Sequence, residues 1–214
     1  MRESAVLHRV KEGYTTGARS LASRSIVRLT HTRVTPNALT TAGVSLCLAA
    51  SVVVFFEYRS PWVFYWLGAF LFVVGSILDI LDGALARAGG KATPFGAFLD
   101  STTDRVGEAA MLGAIALIFH RYDHPVALAL AFAGVAGSLL VSYTRARAEA
   151  LGLKGDVGIG SRAERVVVIT AGLVLAPISI WLLVAAISLL TATAWITVLQ
   201  RILFVRKQLA QREA

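Results

Sequence analysis

Long apolar runs separated by short polar interruptions dominate the chain, with little of the period-two alternation that marks half-buried strands. Runs of this length match the ~20 residues a helix needs to cross a ~30 Å hydrocarbon core. Six spans are predicted. The first runs from about Ala38 to Phe56, the second from Trp62 to about Ala86, and the third from about Ala97 to Phe119. The fourth follows His124-Pro125 and ends near Ala146. After a polar stretch holding Gly152, Gly155, Gly158 and Gly160, two more spans share Val166 to about Phe204 and divide near Ala176-Pro177. Each of these last two is short for a full crossing. The expected fold is all-α: an integral membrane protein with six transmembrane helices in one domain over residues 36–205.

Residues 1–35 form a basic arm in which Ala18, Leu21, Ile26 and Leu29 recur at loosely helical spacing between arginines. That pattern predicts an interfacial amphipathic helix lying in the headgroup plane. The arm has no compact apolar core followed by a small-residue cleavage site, so no removable signal peptide is expected. Residues 206–214 read as a cytoplasmic tail.

Composition agrees with this class. Hydrophobic residues make up 56% of the 214 and charged residues 16%, against about 25% charged in an ordinary soluble domain. The 21 Lys and Arg outnumber the 13 Asp and Glu, leaving a formal charge of +8. The distribution of that charge matters more than its size. Seven basic residues lie in the N-terminal arm, three around the connection between spans 2 and 3, five between spans 4 and 5, and four at the C-terminus. Only Arg59 and Arg121 fall on the other side. Basic loops are retained in the cytoplasm, which puts both termini there in a multi-pass cell-membrane protein. A charge so placed orients spans, and a nucleic-acid partner is not expected. The single Cys47, inside an apolar run, reads as a small buried hydrophobe.

The anomaly is the position of the acids. Asp79 and Asp82 interrupt the end of span 2, and Asp100, Asp104 and Glu108 stand at the start of span 3. Carboxylates at membrane depth cost several kcal/mol each, on the order of 3, unless paired, hydrated or bound to cations. Spacings of i,i+3 and i,i+4 put each Asp pair on one helix face. Two antiparallel helices joined through Gly89, Gly90 and Pro94 would bring four carboxylates around one point. Hard divalent cations suit such an oxygen-only set, and Zn²⁺ does not. A helix-end salt-bridge network with Arg87 and Arg105 is the alternative. So is an ion path through a non-enzymatic cation transporter.

Together these residues spell Asp79-x2-Asp82-Gly83-x2-Ala86-Arg87-x8-Gly96-x3-Asp100-x3-Asp104. The chain thereby resembles the CDP-alcohol phosphotransferase family, at every fixed position of that family's signature. The resemblance implies a six-helix membrane transferase, commonly a homodimer, in which an acceptor hydroxyl displaces CMP from a CDP-linked donor. It implies two Mg²⁺ ions, with Mn²⁺ as a substitute, held by Asp79, Asp82, Asp100 and Asp104, with Asp104 as general base. Gly83, Arg87 and Thr93 would contact the CDP part of the donor. The segment Pro36-Asn37-Ala38-Leu39-Thr40 resembles the family's nucleotide-holding start of the first helix, although Asn37 also suits a helix N-cap.

The second half is similar to the actinobacterial phosphatidylinositol phosphate synthase branch, through Ser142-Tyr143-Thr144-Arg145-Ala146-Arg147-Ala148-Glu149, Arg162-Ala163-Glu164-Arg165 and Gln200-Arg201. That branch implies CDP-diacylglycerol as donor and inositol 1-phosphate as acceptor. The acceptor phosphate would lie on Arg145, Arg165 and Arg201, with Ser142 beside them. Arg145 stands where Lys is usual in the branch, which keeps the charge and changes the donor geometry. Glycerol 3-phosphate, the acceptor of a phosphatidylglycerol phosphate synthase, is the rival of equal charge.

Overall fold

The computed structural model describes residues 35–213, so the basic arm and its predicted interfacial helix lie outside the described residues. Six α-helices follow one another: α1 (Pro36–Phe55), α2 (Pro61–Ala88), α3 (Pro94–Arg121), α4 (Pro125–Ala150), α5 (Arg162–Leu175) and α6 (Ile180–Glu213). A short 3₁₀ turn, Glu57–Arg59, joins α1 to α2, and no strand occurs among the described residues. Pro occupies the first turn of α1, α2, α3 and α4. Its fixed φ is preset for a helix there, and the N–H it lacks would have been unpaired anyway. Gly90, at φ +61°, makes the left-handed step out of α2 toward α3.

Pro36 also moves the cap that the sequence suggested for Asn37. The N-cap of α1 is Thr35, whose Oγ1 accepts from the Ala38 amide at 3.2 Å. Asn37 is already inside the first turn, which leaves its side chain free for another use.

Four helices are long and apolar enough to cross a membrane: α1, α2, α4 and α6 as far as Arg212. The other two depart from that standard for different reasons. Helix α3 has 28 residues but carries Asp100, Asp104, Arg105 and Glu108 along its first half. Helix α5 has 14 residues, which at 1.5 Å per residue is only ~21 Å. The turn between α5 and α6 falls at residues 176–179, where Ala176-Pro177 predicts it. Beyond Phe204 the expected tail does not form a separate segment, because α6 continues unbroken to Glu213.

Small residues set the packing. Helix α1 lies between α2 and α3, which hardly touch each other directly. At the α1–α2 crossing, a Cβ on Gly75 would stand 2.7 Å from the Gly43 carbonyl oxygen and 2.8 Å from Cys47 Sγ. A Cβ on Gly107 of α3 would stand 3.0 Å from Cys47 Cβ. Cys47 is thus the buried small hydrophobe its setting predicts, packed between two glycines. Such close approach is how helices gain contact where lipid supplies no hydrophobic drive. The core beneath is built from Phe72, Met111, Ile115, Phe119, Ile169 and Leu183.

Two polar fastenings close the ends of the bundle. At one end the fully buried Glu57 is gripped by Arg121, whose Nη1 lies 2.7 Å from the carboxylate and 2.9 Å from the Phe55 carbonyl. At the other end the segment between α4 and α5 is tied to α6. The Gly160 amide donates to Thr197 Oγ1 at 2.9 Å, and Gln208 exchanges two hydrogen bonds with the Lys154 backbone.

The crossing predicts that Gly75→Ala lowers the midpoint of thermal unfolding of the detergent-solubilised protein, by an amount equivalent to about 1–3 kcal/mol. Gly113→Ala is the control, since a Cβ there meets nothing within 4 Å. Equal midpoints for the two variants would remove the close-contact account.

Candidate functional site

The end of the bundle that carries the α2–α3 connection holds the acids. Asp79 and Asp82 stand on the last turns of α2, while Asp100 and Asp104 stand on the second and third turns of α3. Three of the four meet. Asp79, Asp82 and Asp100 each bring a carboxylate oxygen to within 4.8 Å of the others, and the first two are buried. Thr40 of α1 reaches across and donates its hydroxyl to Asp82 Oδ2.

Asp104 is outside this trio but is joined to it through Asp79, because one cation from another helix contacts both. Arg162, the first residue of α5, donates Nη1 to Asp79 Oδ2 and sets Nη2 2.6 Å from Asp104 Oδ1. The second contact is a close ion pair off the hydrogen-bond angle, so Asp104 Oδ1 remains buried without a hydrogen bond, as does Asp82 Oδ1. Buried carboxylate oxygens lacking donors, in an all-oxygen set, are what a hard divalent cation satisfies. The centre fits such ions. The alternative, a salt-bridge network with Arg87 and Arg105, is not formed among the described residues: Arg105 Nη1 donates to the Ser101 carbonyl, and Arg87 lies over Gly83.

On one side of the aspartates is a cavity of ≈ 130 Å³ whose lining includes Asn37, Thr40, Asp82, Gly83, Arg87 and Thr93. The glycines shape it. A Cβ on Gly83 would stand 3.3 Å from Arg87 Nη1, and one on Gly96 would stand 3.0 Å from Thr93 Oγ1 and 3.4 Å from Asn37 Oδ1. Thr93 caps α3 by accepting from the Gly96 amide at 3.0 Å. Ala38 and Leu39 share the first turn of α1 but do not line this cavity.

On the other side lies a second cavity of ≈ 280 Å³, walled by Asp104 together with Ser142, Arg145, Arg162, Arg165 and Arg201. The tertiary structure thus gathers the three arginines singled out in sequence, from α4, α5 and α6. Their surroundings differ. Arg165 is buried and forks onto Glu108, with Nε–Oε1 at 2.6 Å and Nη2–Oε2 at 2.9 Å, while its Nη1 donates to the Gly160 carbonyl at 2.7 Å. Arg201, also buried, donates to the carbonyls of Val157 and Val141. Arg145 is exposed and, among the described residues, pairs only with Glu149, at 2.9 Å.

Arg162 and Glu108 are the functional-site residues whose positions sequence reasoning left without a role. Arg162 belongs to a stretch, Ser161-Arg162-Ala163-Glu164-Arg165, that reads as a helix start. It is one: Ser161 caps α5 in a capping box, accepting from the Glu164 amide while Glu164 Oε2 accepts from the Ser161 amide at 2.6 Å. Those hydrogen bonds with Ser161 hold the Glu164 carboxyl below the usual carboxylate range. The box aims the next residue, Arg162, at the aspartates.

Known proteins are similar to this chain in sequence and in fold. The family model described as CDP-alcohol phosphatidyltransferase matches residues 33–205. The chain is 38% identical over 179 residues to the archaetidylinositol phosphate synthase of Pyrococcus horikoshii, covering 82% of this chain and 86% of that one. It is 34% identical over 177 residues to the phosphatidylinositol phosphate synthase of Mycolicibacterium smegmatis, covering 80% and 78%. Among solved structures, the Mycobacterium tuberculosis phosphatidylinositol phosphate synthase with CDP-DAG bound superposes with a TM-score of 0.72 at 31% identity, covering 87% of this chain and 92% of that one. The same enzyme in complex with manganese and citrate gives a TM-score of 0.73 at 30% identity, with 87% of each chain covered. With a carboxylate centre fit for divalent metal, cavities on both sides of it and a family match over most of its length, the chain belongs to the CDP-alcohol phosphatidyltransferases.

Proposed function

We propose that the protein transfers the phosphatidyl group of CDP-diacylglycerol to inositol 1-phosphate, releasing CMP and leaving phosphatidylinositol phosphate. The observation that carries this reading is the position of the aspartate centre between two unlike cavities. Asp82 and Asp100 face the smaller one, and Asp104 faces the arginine-lined one. A reaction that joins a nucleotide-linked lipid to a phosphorylated alcohol needs that order. Both curated relatives named above carry inositol phosphate in their names, with different lipid parts.

In this reading Asp79, Asp82, Asp100 and Asp104 hold two Mg²⁺ ions, with Mn²⁺ able to substitute. Bound divalent ions supply charge neutralisation for the pyrophosphate and the departing phosphate. The protein's own groups do the rest. Asn37, Thr40 and Thr93 hold the cytidine side, with Ala38 and Leu39 shaping the backbone of the same turn. Gly83 lets the nucleotide approach the helix backbone, and Arg87 forks onto a phosphate. Arg145, Arg165 and Arg201, with Ser142, seat the acceptor phosphate so that a ring hydroxyl points at Asp104. Asp104 removes that hydroxyl's proton, the oxygen attacks the β-phosphorus, and the bond to the CMP oxygen breaks. Positioning and fixed charge supply the rate enhancement.

The two helices that fall short of the apolar criterion complete a six-crossing bundle in this reading. The acids of α3 face the site rather than lipid, and α5 sits against α2 and α6. In this reading this end of the bundle, both termini and the site face the cytoplasm, which the positions of the basic residues support.

Asp104→Asn is expected to retain CDP-diacylglycerol binding while CMP release falls by about a hundredfold or more, the usual scale of a lost general base. Single-turnover CMP release measures it; turnover near wild type removes Asp104 from the base role. Arg145→Gln, an exposed position, is expected to raise KM for inositol 1-phosphate by about tenfold or more, as for one lost charge-assisted hydrogen bond, and to leave KM for CDP-diacylglycerol in place. Competition between labelled inositol 1-phosphate and glycerol 3-phosphate decides the acceptor. Incorporation of glycerol 3-phosphate alone would make the protein a phosphatidylglycerol phosphate synthase instead.

A further inference from the structure

Arg162 occupies a position that neither the donor nor the acceptor role explains. Its guanidinium spans two helices, contacting Asp79 of α2 and Asp104 of α3, which are two of the four aspartates assigned to metal. It is the only basic side chain among the described residues recorded in a salt bridge with any of those four. The same residue forms part of the wall of the ≈ 280 Å³ cavity beside Arg145, Arg165 and Arg201. Its side chain keeps 30% of its surface exposed, whereas Arg165 keeps 4%. Arg165 is locked by its fork onto Glu108. Arg162 has room to turn.

We propose that Arg162 is the resident counterion of the aspartate centre, that a divalent cation displaces it, and that the released guanidinium becomes a further phosphate donor in the acceptor cavity. Metal and acceptor phosphate then bind with positive coupling, through one side chain that serves two anionic clients in turn. This rests on the two-cavity reading above and adds an order to it: metal first, acceptor second.

Three physical points carry the argument. Four carboxylates gathered at the end of an apolar bundle need compensating charge at all times, and Arg162 is the compensation the protein itself supplies. A guanidinium and a divalent cation cannot both sit against Asp79 Oδ2 and Asp104 Oδ1, since the ion needs the Asp79 lone pair that Arg162 occupies and the two cations repel each other. Once displaced, the head group stays tethered at the first residue of α5, whose capping box fixes the start of the helix beside the acceptor cavity. Glu108, the buried carboxylate there, already has both oxygens on Arg165. A phosphate entering the cavity therefore meets an added fork that was engaged elsewhere before metal bound.

The test is equilibrium binding of Mn²⁺ to the purified full chain in detergent, read by electron paramagnetic resonance, for wild type and Arg162→Gln. Each is titrated alone, with inositol 1-phosphate and with glycerol 3-phosphate. Wild type should bind Mn²⁺ about tenfold tighter when a phosphorylated acceptor is present, within the usual range of coupling between two sites. Arg162→Gln, which has no counterion to displace, should bind Mn²⁺ about tenfold tighter than wild type without acceptor and gain little from adding one. In metal-free buffer the variant should unfold at a lower temperature than wild type, and Mn²⁺ should raise its midpoint by more. Arg162→Lys keeps the charge but loses the fork, and its Mn²⁺ affinity should also rise; it carries the same test should the Gln variant not fold. A Mn²⁺ affinity in the variants that equals or falls below wild type overturns the counterion role. Coupling of unchanged size in Arg162→Gln overturns the handover to phosphate. Failure of the function reading would look different. It would appear as the wrong acceptor in CMP release, with the rise in Mn²⁺ affinity intact.

Discussion

Compensation of negative charge at the end of an apolar helix bundle is the constraint on which the rest of this structure depends. Asp79, Asp82, Asp100 and Asp104 cannot remain ionised beside lipid-facing helices without cations, and the protein organises its nearby polar groups around that need. Thr40 donates to Asp82 from α1, and Arg162 reaches Asp79 and Asp104 from α5. Helices that pack elsewhere through glycine and alanine are thereby brought to one charged centre. Removing a charge from either side leaves its partner buried and unpaired, which is why such pairs are costly to break even where their net contribution is small.

A second ion pair repeats the logic with another purpose. Glu108 and Arg165 are both buried, and their fork joins α3 to α5 with two hydrogen bonds. Because Arg165 spends two of its donor groups on Glu108 and a third on the Gly160 carbonyl, it is a rigid part of the cavity wall. Arg201 is held as firmly by the Val157 and Val141 carbonyls. Against these buried cations stand two that are more exposed, Arg145 at the rim and Arg162 at the aspartates. In the proposed function, a cavity with both kinds is shaped in advance and still answers to what binds next door.

The far end of α6 explains how the arginine-lined cavity is kept in place. Gln208 and Arg212 lie in the last turns of the helix, within the segment that reads as a tail in sequence, and both bond the backbone of the segment between α4 and α5. Gly158 and Gly160 press against Thr197 of the same helix. A loop rich in glycine would by itself be free to sample many shapes, and helix α6 holds it to the one that presents Ser161 and Arg162. The chemistry of one cavity therefore depends on residues some distance from any substrate.

Several of these features were legible along the chain. Hydrophobic run length determined the helices and their order, because each apolar stretch must satisfy its backbone internally and only a helix does so within one segment. Proline at four helix starts, the break at Ala176-Pro177 and the one-turn spacing of the aspartates are local properties, and local properties survive folding. Partnership is not local. That Thr35 rather than Asn37 caps α1, that Asp104 shares a cation with Asp79, and that this cation is Arg162 from 58 positions further on depend on where helices cross. In sequence Arg162 is one basic residue among five between spans 4 and 5, and nothing local says that it, rather than a neighbour, pairs with the aspartates. What distinguishes it is distance in space from Asp79 and Asp104, and that distance is set by glycine contacts, caps and loop ties acting together. The residue types that carry the chemistry were therefore written in one dimension, while the choice of which charge neutralises which belongs to the packed bundle.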